Sequence, residues 1–328
     1  MSSSLHAETM VVDGLMVCRW DQGIFEEMHA AGITAANCTV SIWDDFRETM
    51  ENIASFKRWF DEHDDLIRPV ETTDDIRRAK DEGRVGIIIG FQNLGAVEGR
   101  LSYLRLFHEL GLRIAQLAYN TQNLIGAGCY ESRDGGLTEL GREVVSSMNE
   151  LGVLVDLSHV GKQTSKDAIE CSTRPVAYSH TCPAAVHNHP RNKTDEEMRF
   201  IAEHGGFVGV NILPWFLRAD GEATLADFVD AVEHTLNVAG EDHVGIGTDF
   251  MQGHGADYLA YLRSHQGRGP LITPLPDQPL KQTPEGLERV SDFPQITEAM
   301  ERRGWSEERI RKVLGENWLR LLREVWGA

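Results

Sequence analysis

Cysteine is scarce in this sequence and unpaired in spacing: Cys18, Cys38, Cys129, Cys171 and Cys182 are odd in number, widely scattered and form no CxxC. That rules out a zinc-finger framework and suits a reducing compartment. Basic charge is also short, with 32 Lys and Arg against 51 Asp and Glu, a net charge of −19. Such a surface repels phosphate backbones and anionic membranes, so neither nucleic acid nor a membrane is expected as a partner. Long apolar runs are missing as well. No stretch offers the roughly 20 continuous apolar residues that span a bilayer, and the opening MSSSLHAETM has no basic segment leading into an apolar one. The sequence therefore reads as cytoplasmic. It also contains no fixed-period repeat, low-complexity tract or evident linker.

What is present is enough for a large core: 328 residues, 41% of them hydrophobic, expected to form one domain over 1–328. Eight apolar runs of strand length recur along the chain: TMVVDGLMV, AANCTVSIW, RVGIIIGFQN, IAQLAY, GVLVDLSHV, RPVAYSHT, GGFVGVNIL and HVGIGTDF. They are rich in Val and Ile and mostly apolar on both parities, as a parallel sheet covered on its faces requires. Amphipathic stretches alternate with them, and two of these run from a threonine to a glycine, Thr138 to Gly152 and Thr194 to Gly205, which predicts capping at both ends. The pattern predicts a (β/α)8 barrel, with a doubly wound open sheet as the alternative. Five prolines between 267 and 286 predict a long loop after the last strand, placed to cover the barrel mouth, followed by a helical segment over 292–326.

In such a barrel, chemistry sits at the C-terminal ends of the strands. The predicted ends carry Gln92 and Asn93, Tyr119 and Asn120, Ser158 and His159, Ser179 and His180, Asn211, and Asp249. Two histidines on adjacent strands can place their imidazoles on one metal ion, with Asp249 as third ligand or as base. Either histidine alone reads most simply as a hydrogen-bonded structural residue. Together with the carboxylate they define a candidate site. The glycine-rich segment GAGCYESRDGG brings Cys129, Tyr130, Glu131 and Arg133 toward the mouth, and Cys182 lies two residues beyond His180. Nothing in their surroundings predicts a depressed thiol pKa, so these cysteines read as inert. His254 reads as a loop-stabilising residue with a second reading as a substitute ligand, and His189 as structural.

The run from Leu137 to Asn211, with DLSHV, SHT and HPRN in order, resembles the membrane dipeptidase (renal dipeptidase) family of zinc metallopeptidases, and the likeness continues through HVGIGTDF and GWSEERIRKVLGENWLRLL. The resemblance implies a (β/α)8 barrel of the amidohydrolase type, commonly dimeric, that cleaves dipeptides at a binuclear zinc centre. It places His159 and His180 as the two histidine ligands of one zinc and Arg191 as the binder of the substrate carboxylate. Asp249 falls where an aspartate handles the proton of the attacking water and the leaving amine.

Elsewhere the sequence departs from the family's pattern. A His-x-Asp ligand pair should follow the first DG, and Leu15 and Val17 stand there instead; Gln92 stands in place of the bridging glutamate, and Tyr119 in place of a substrate-contacting histidine. A second zinc is therefore not expected. The expected function is a dipeptidase-like hydrolase acting on a dipeptide or small carboxylate-bearing amide. One ion, zinc or by a weaker reading ferrous iron, would sit on His159, His180 and Asp249, and Arg191, Tyr119, Asn120 and Gln92 would contact substrate. Two alternatives carry no metal. One is a lyase or isomerase using His159, His180, Tyr119 and Asp249 as acids and bases, and the other is a ligand-binding protein without catalysis.

Overall fold

The computed structural model describes residues 4–265, 269 and 281–327. Strands β1 (Val12–Met16), β2 (Ala35–Ser41), β3 (Ile67–Pro69), β4 (Val85–Phe91), β5 (Leu112–Gln116), β6 (Leu154–Asp156), β7 (Ala177–Thr181), β8 (Phe207–Val210) and β9 (Val244–Ile246) are all parallel. Eight of them follow one another around the sheet in the order β1-β2-β4-β5-β6-β7-β8-β9. The circle closes where the chain just past β9 meets β1, with Asp249 N donating to Leu15 O and Val17 N to Phe250 O, each at 2.9 Å. This is a (β/α)8 barrel. Every residue of β1, β2, β4 and β5 is buried, the expected result for strands covered on both faces.

A ninth strand departs from the sequence expectation of eight. Strand β3 pairs with the N-terminal half of β4, Ile67 opposite Val85 and Pro69 opposite Ile87. Its three residues include a proline and only one is buried, too little for a strand signal.

The helices form where their caps allow. Thr138 accepts from Gly141 N, and Gly152 ends that helix in the left-handed conformation with φ 72°. Thr194 and Glu197 form a reciprocal capping box at the start of Asp195–Glu203. The expected helical segment over 292–326 is present as Pro294–Arg302, Glu307–Arg311 and Asn317–Trp326. The expected proline-rich loop lies largely outside the described residues.

The last helix seals the N-terminal end of the barrel. Trp318 is 1% exposed, donates its indole N–H to Ile246 O at 2.9 Å, and packs with Val12, Ile114, Leu154 and Phe207. Gly14 in β1 makes room for it, since a Cβ there would stand 2.2 Å from the indole Cζ2. Trp318→Ala is expected to destabilise the fold by about 3–5 kcal/mol, because it empties a cavity and leaves a buried carbonyl unpaired. Denaturant unfolding would measure it, and a loss below about 1 kcal/mol would show that the indole is not the seal.

Candidate active site

The C-terminal ends of the strands converge on a cavity. Of the residues expected at the site, Gln92, Tyr119, Asn120, His159 and Asp249 line it. His180 joins them through His159, the two Nε2 atoms lying 3.0 Å apart.

The partners of the two imidazoles determine where their protons are. His159 Nδ1 lies 2.6 Å from Asn120 Oδ1, an oxygen that also accepts from the Cys129 thiol, so Nδ1 carries the hydrogen. His180 Nδ1 lies 2.7 Å from Ser179 Oγ. That hydroxyl already donates to Asp156 Oδ2 at 2.6 Å, so it accepts from His180 and Nδ1 again carries the hydrogen. Asp156 is held in turn by the Ser158 hydroxyl and by the backbone N–H groups of Ser158 and Ser179. Both imidazoles thus turn an Nε2 lone pair toward the same point. Burial, then the Arg191 guanidinium, holds both pKa values well below the ordinary histidine range, and the His180 ring further disfavours a proton on His159. A proton shared between them is therefore disfavoured, and two facing lone pairs repel unless a cation lies between them.

Asp249 does not close this pair into a three-ligand set. Among the described residues no group of three or more His, Cys, Asp or Glu side chains is placed to hold a metal ion. Its backbone takes the left-handed conformation with φ 61°, and its Oδ2 accepts from Asn211 Nδ2 at 3.4 Å. Burial raises its pKa to about 7, and Asp13 and Asp156 add to the shift while Arg191 opposes it. Asn120, at φ 59°, is the second site residue in this conformation. Left-handed backbone at non-glycine residues is uncommon and is held in place by its surroundings. The sequence carries no sign of it.

Arg191 occupies a different position from the one its expected role suggests. It is fully buried and its Nη1 and Nη2 donate to Ser158 O at 2.7 Å and His180 O at 2.5 Å, which pins the backbone beside both histidines. Nε has no hydrogen-bond partner. Lys193, also buried, donates to Val160 O and stands 4.6 Å from the Tyr178 ring centroid. Tyr119 stacks on His159 at 4.0 Å, and burial keeps its phenol protonated.

The other sequence candidates settle as packing. Burial raises the thiols of Cys129 and Cys182, the latter to about 12, so neither is an activated nucleophile. His254 stacks flat on Tyr258 at 3.5 Å and faces a neighbouring cavity with Cys18 and Trp20. His189 Nδ1 accepts from Arg191 N. Leu15 and Val17 are buried aliphatic residues of the core. What sequence reasoning missed is the apolar wall: Leu213, Trp215 and Phe216 after β8, with Met251, Leu259 and Leu262 after β9. Their only signal is apolar side chains in loops.

A parallel barrel with a histidine pair and a buried carboxylate at its C-terminal mouth defines a barrel of the amidohydrolase type. The chain belongs to the membrane dipeptidase family, Peptidase family M19, whose profile matches residues 20–260 and 277–327. It is 32% identical over 282 residues to dipeptidase tcpJ of Claviceps purpurea, covering 85% of this chain and 60% of that protein. The chain thus spans about three-fifths of the length of such curated relatives. Among solved structures it is similar to an amidohydrolase from Pseudomonas aeruginosa, with TM-score 0.94 and 47% identity over 99% of this chain and 98% of that one. A metallopeptidase from Rhodobacter sphaeroides, solved with a phosphinate mimic of the dipeptide L-Ala-D-Ala, shares the fold, with TM-score 0.81 and 23% identity over 97% of this chain and 100% of that one. No helix among the described residues is long and apolar enough to cross a membrane.

Proposed function

We propose that this protein hydrolyses the amide bond of a dipeptide or small carboxylate-bearing amide, using a single metal ion, zinc, held by His159 and His180. The observation that carries this reading is the pair of facing Nε2 lone pairs, 3.0 Å apart with both Nδ1 atoms committed elsewhere. Neutral imidazoles fixed in this way by outer partners are the form that binds zinc. The residues fit one ion and not two, because Leu15, Val17 and Gln92 provide no charged or imidazole donor. When bound, the ion would supply Lewis acidity toward an amide carbonyl and acidity to water beside it.

The chain's own residues do the remaining work. Asp249, ionised above about pH 7, takes the proton of the attacking water as the new C–O bond forms, and returns it to the amide nitrogen as the C–N bond breaks. Asn120 and the Asp156–Ser179 pair keep the two rings in register. Arg191 draws the substrate carboxylate by its field while it braces the Ser158 and His180 carbonyls. The apolar wall excludes water from the reacting amide.

Elemental analysis of protein purified without chelator, paired with a dipeptide panel assayed before and after chelation, tests the reading. About one ion per chain is expected, with hydrolysis lost on its removal and restored by zinc. Two ions per chain, or turnover that survives chelation, would overturn it.

A further inference from the structure

Gln92 is the one departure from the family's pattern that leaves an unsatisfied atom behind. The side chain is 1% exposed and lines the cavity. Its Nε2 donates to Thr39 Oγ1 at 2.9 Å, and its backbone carbonyl accepts from Gln116 Nε2. Its Oε1 has no partner at all. A buried carbonyl oxygen left unpaired is costly, and at the wall of a cavity it marks the place of a donor on the ligand.

The charges around the cavity narrow what that donor can be. Asp249 and Arg263 are the ionisable residues of opposite sign among the described lining residues, and the buried Arg191 acts on Asp249 from behind. A carboxamide at position 92 adds no negative charge. The free α-ammonium of a dipeptide would be stripped of water here with Asp249 as its sole anionic neighbour among the described lining residues. Desolvating a charge without a full counter-charge is strongly disfavoured, whereas an uncharged acyl group carries no such cost. The surrounding wall of Val17, Ile42, Leu213, Phe216, Met251 and Leu262 favours an uncharged acyl group.

Resting on the hydrolase reading above, we infer that the preferred substrate is an N-acylated amino acid with an uncharged acyl half, rather than a dipeptide with a free amino terminus, and that Gln92 Oε1 accepts its amide N–H. That N–H is common to dipeptides and N-acyl amino acids, so Gln92 sets specificity by what it lacks, a carboxylate beside the place of an α-ammonium.

Ala-Leu and N-propanoyl-leucine differ only in the α-ammonium, so the ratio of their kcat/KM values reads the inference directly. The propanoyl compound is expected to be favoured by about tenfold or more. Gln92→Glu, which adds a carboxylate, is expected to move the ratio toward Ala-Leu by about tenfold, whereas Gln92→Leu should lower kcat/KM for both compounds together. Equal rates, or a preference for Ala-Leu, would overturn the inference and leave the hydrolase reading standing. If neither compound turns over, the hydrolase reading fails, and the Kd values of the two on the same metal-replete protein decide the inference by the same ratio. A ratio unchanged by Gln92→Glu would remove Gln92 from its role.

Discussion

Replacing either His159 or His180 by alanine is expected to lower kcat/KM by about 10³-fold and to leave less than about a tenth of an ion per chain. Lewis-acid stabilisation contributes several kcal/mol to such a reaction, and each 1.36 kcal/mol is a factor of ten. The two variants should be nearly equivalent, and the double variant little worse than either, because two ligands of one ion act as a unit. Both positions are buried, but His180 lies near the end of β7 and His159 just past β6, so the barrel should persist, as far-UV circular dichroism would check. A His180→Ala protein that keeps its ion, or that turns over at the parent rate, would show that the imidazoles pair with each other and not with a metal.

Asp249→Asn carries the second large effect, in two opposite directions. As the proton carrier its loss is expected to reduce kcat by about 10²- to 10⁴-fold. In the parent protein the carboxyl pKa is raised to about 7, so the base form is absent at low pH. The logarithm of kcat/KM should climb with unit slope up to about pH 7 and then level, a limb that Asp249→Asn should abolish. For stability the sign reverses. Between the ordinary carboxyl pKa and about 7 the folded chain binds a proton that the unfolded chain has released, so stability falls as pH rises through that window. Above pH 7 the buried carboxylate is ionised at a cost on the order of 4 kcal/mol, which Asp249→Asn relieves. The variant is thus expected to be less active and harder to unfold at pH 8 than its parent. A variant that unfolds more easily at pH 8 would mean that the ionised carboxylate is a net structural asset.

That trade explains why part of the site was legible in the sequence and part was not. The eight barrel strands announce themselves because each is apolar on both parities, and their last residues name His159, His180, Asp249, Asn120 and Gln92 without any structure. Strand β3 gives no such sign, being three residues with a proline among them. The tautomers of the two histidines depend on Asn120, Ser179 and Asp156, whose contact with the rings comes from the closing of the sheet and from no spacing along the chain. The left-handed backbone at Asn120 and Asp249 is likewise invisible, because neither residue type demands it. Arg191 was readable as an arginine near the site, but not as a brace, since the carbonyls it holds belong to residues 33 and 11 positions away. The apolar wall was unreadable for a simpler reason: Trp215, Leu259 and Leu262 differ in no way from core residues until the cavity beside them is seen.

Trp318 also sets an order of events during synthesis. The indole that seals the barrel's N-terminal end follows its acceptor Ile246 by 72 residues, so a ribosome delivers β1 to β9 before the part that closes them from below. A barrel formed in that interval would have a hole at its foot, with Phe207 and the floor of β1 open to water and to other chains. A chaperone that holds this end until the last helix emerges would raise the yield of folded protein. A bulky fusion placed directly after the helix that bears Trp318 would lower it without touching a single residue of the catalytic face.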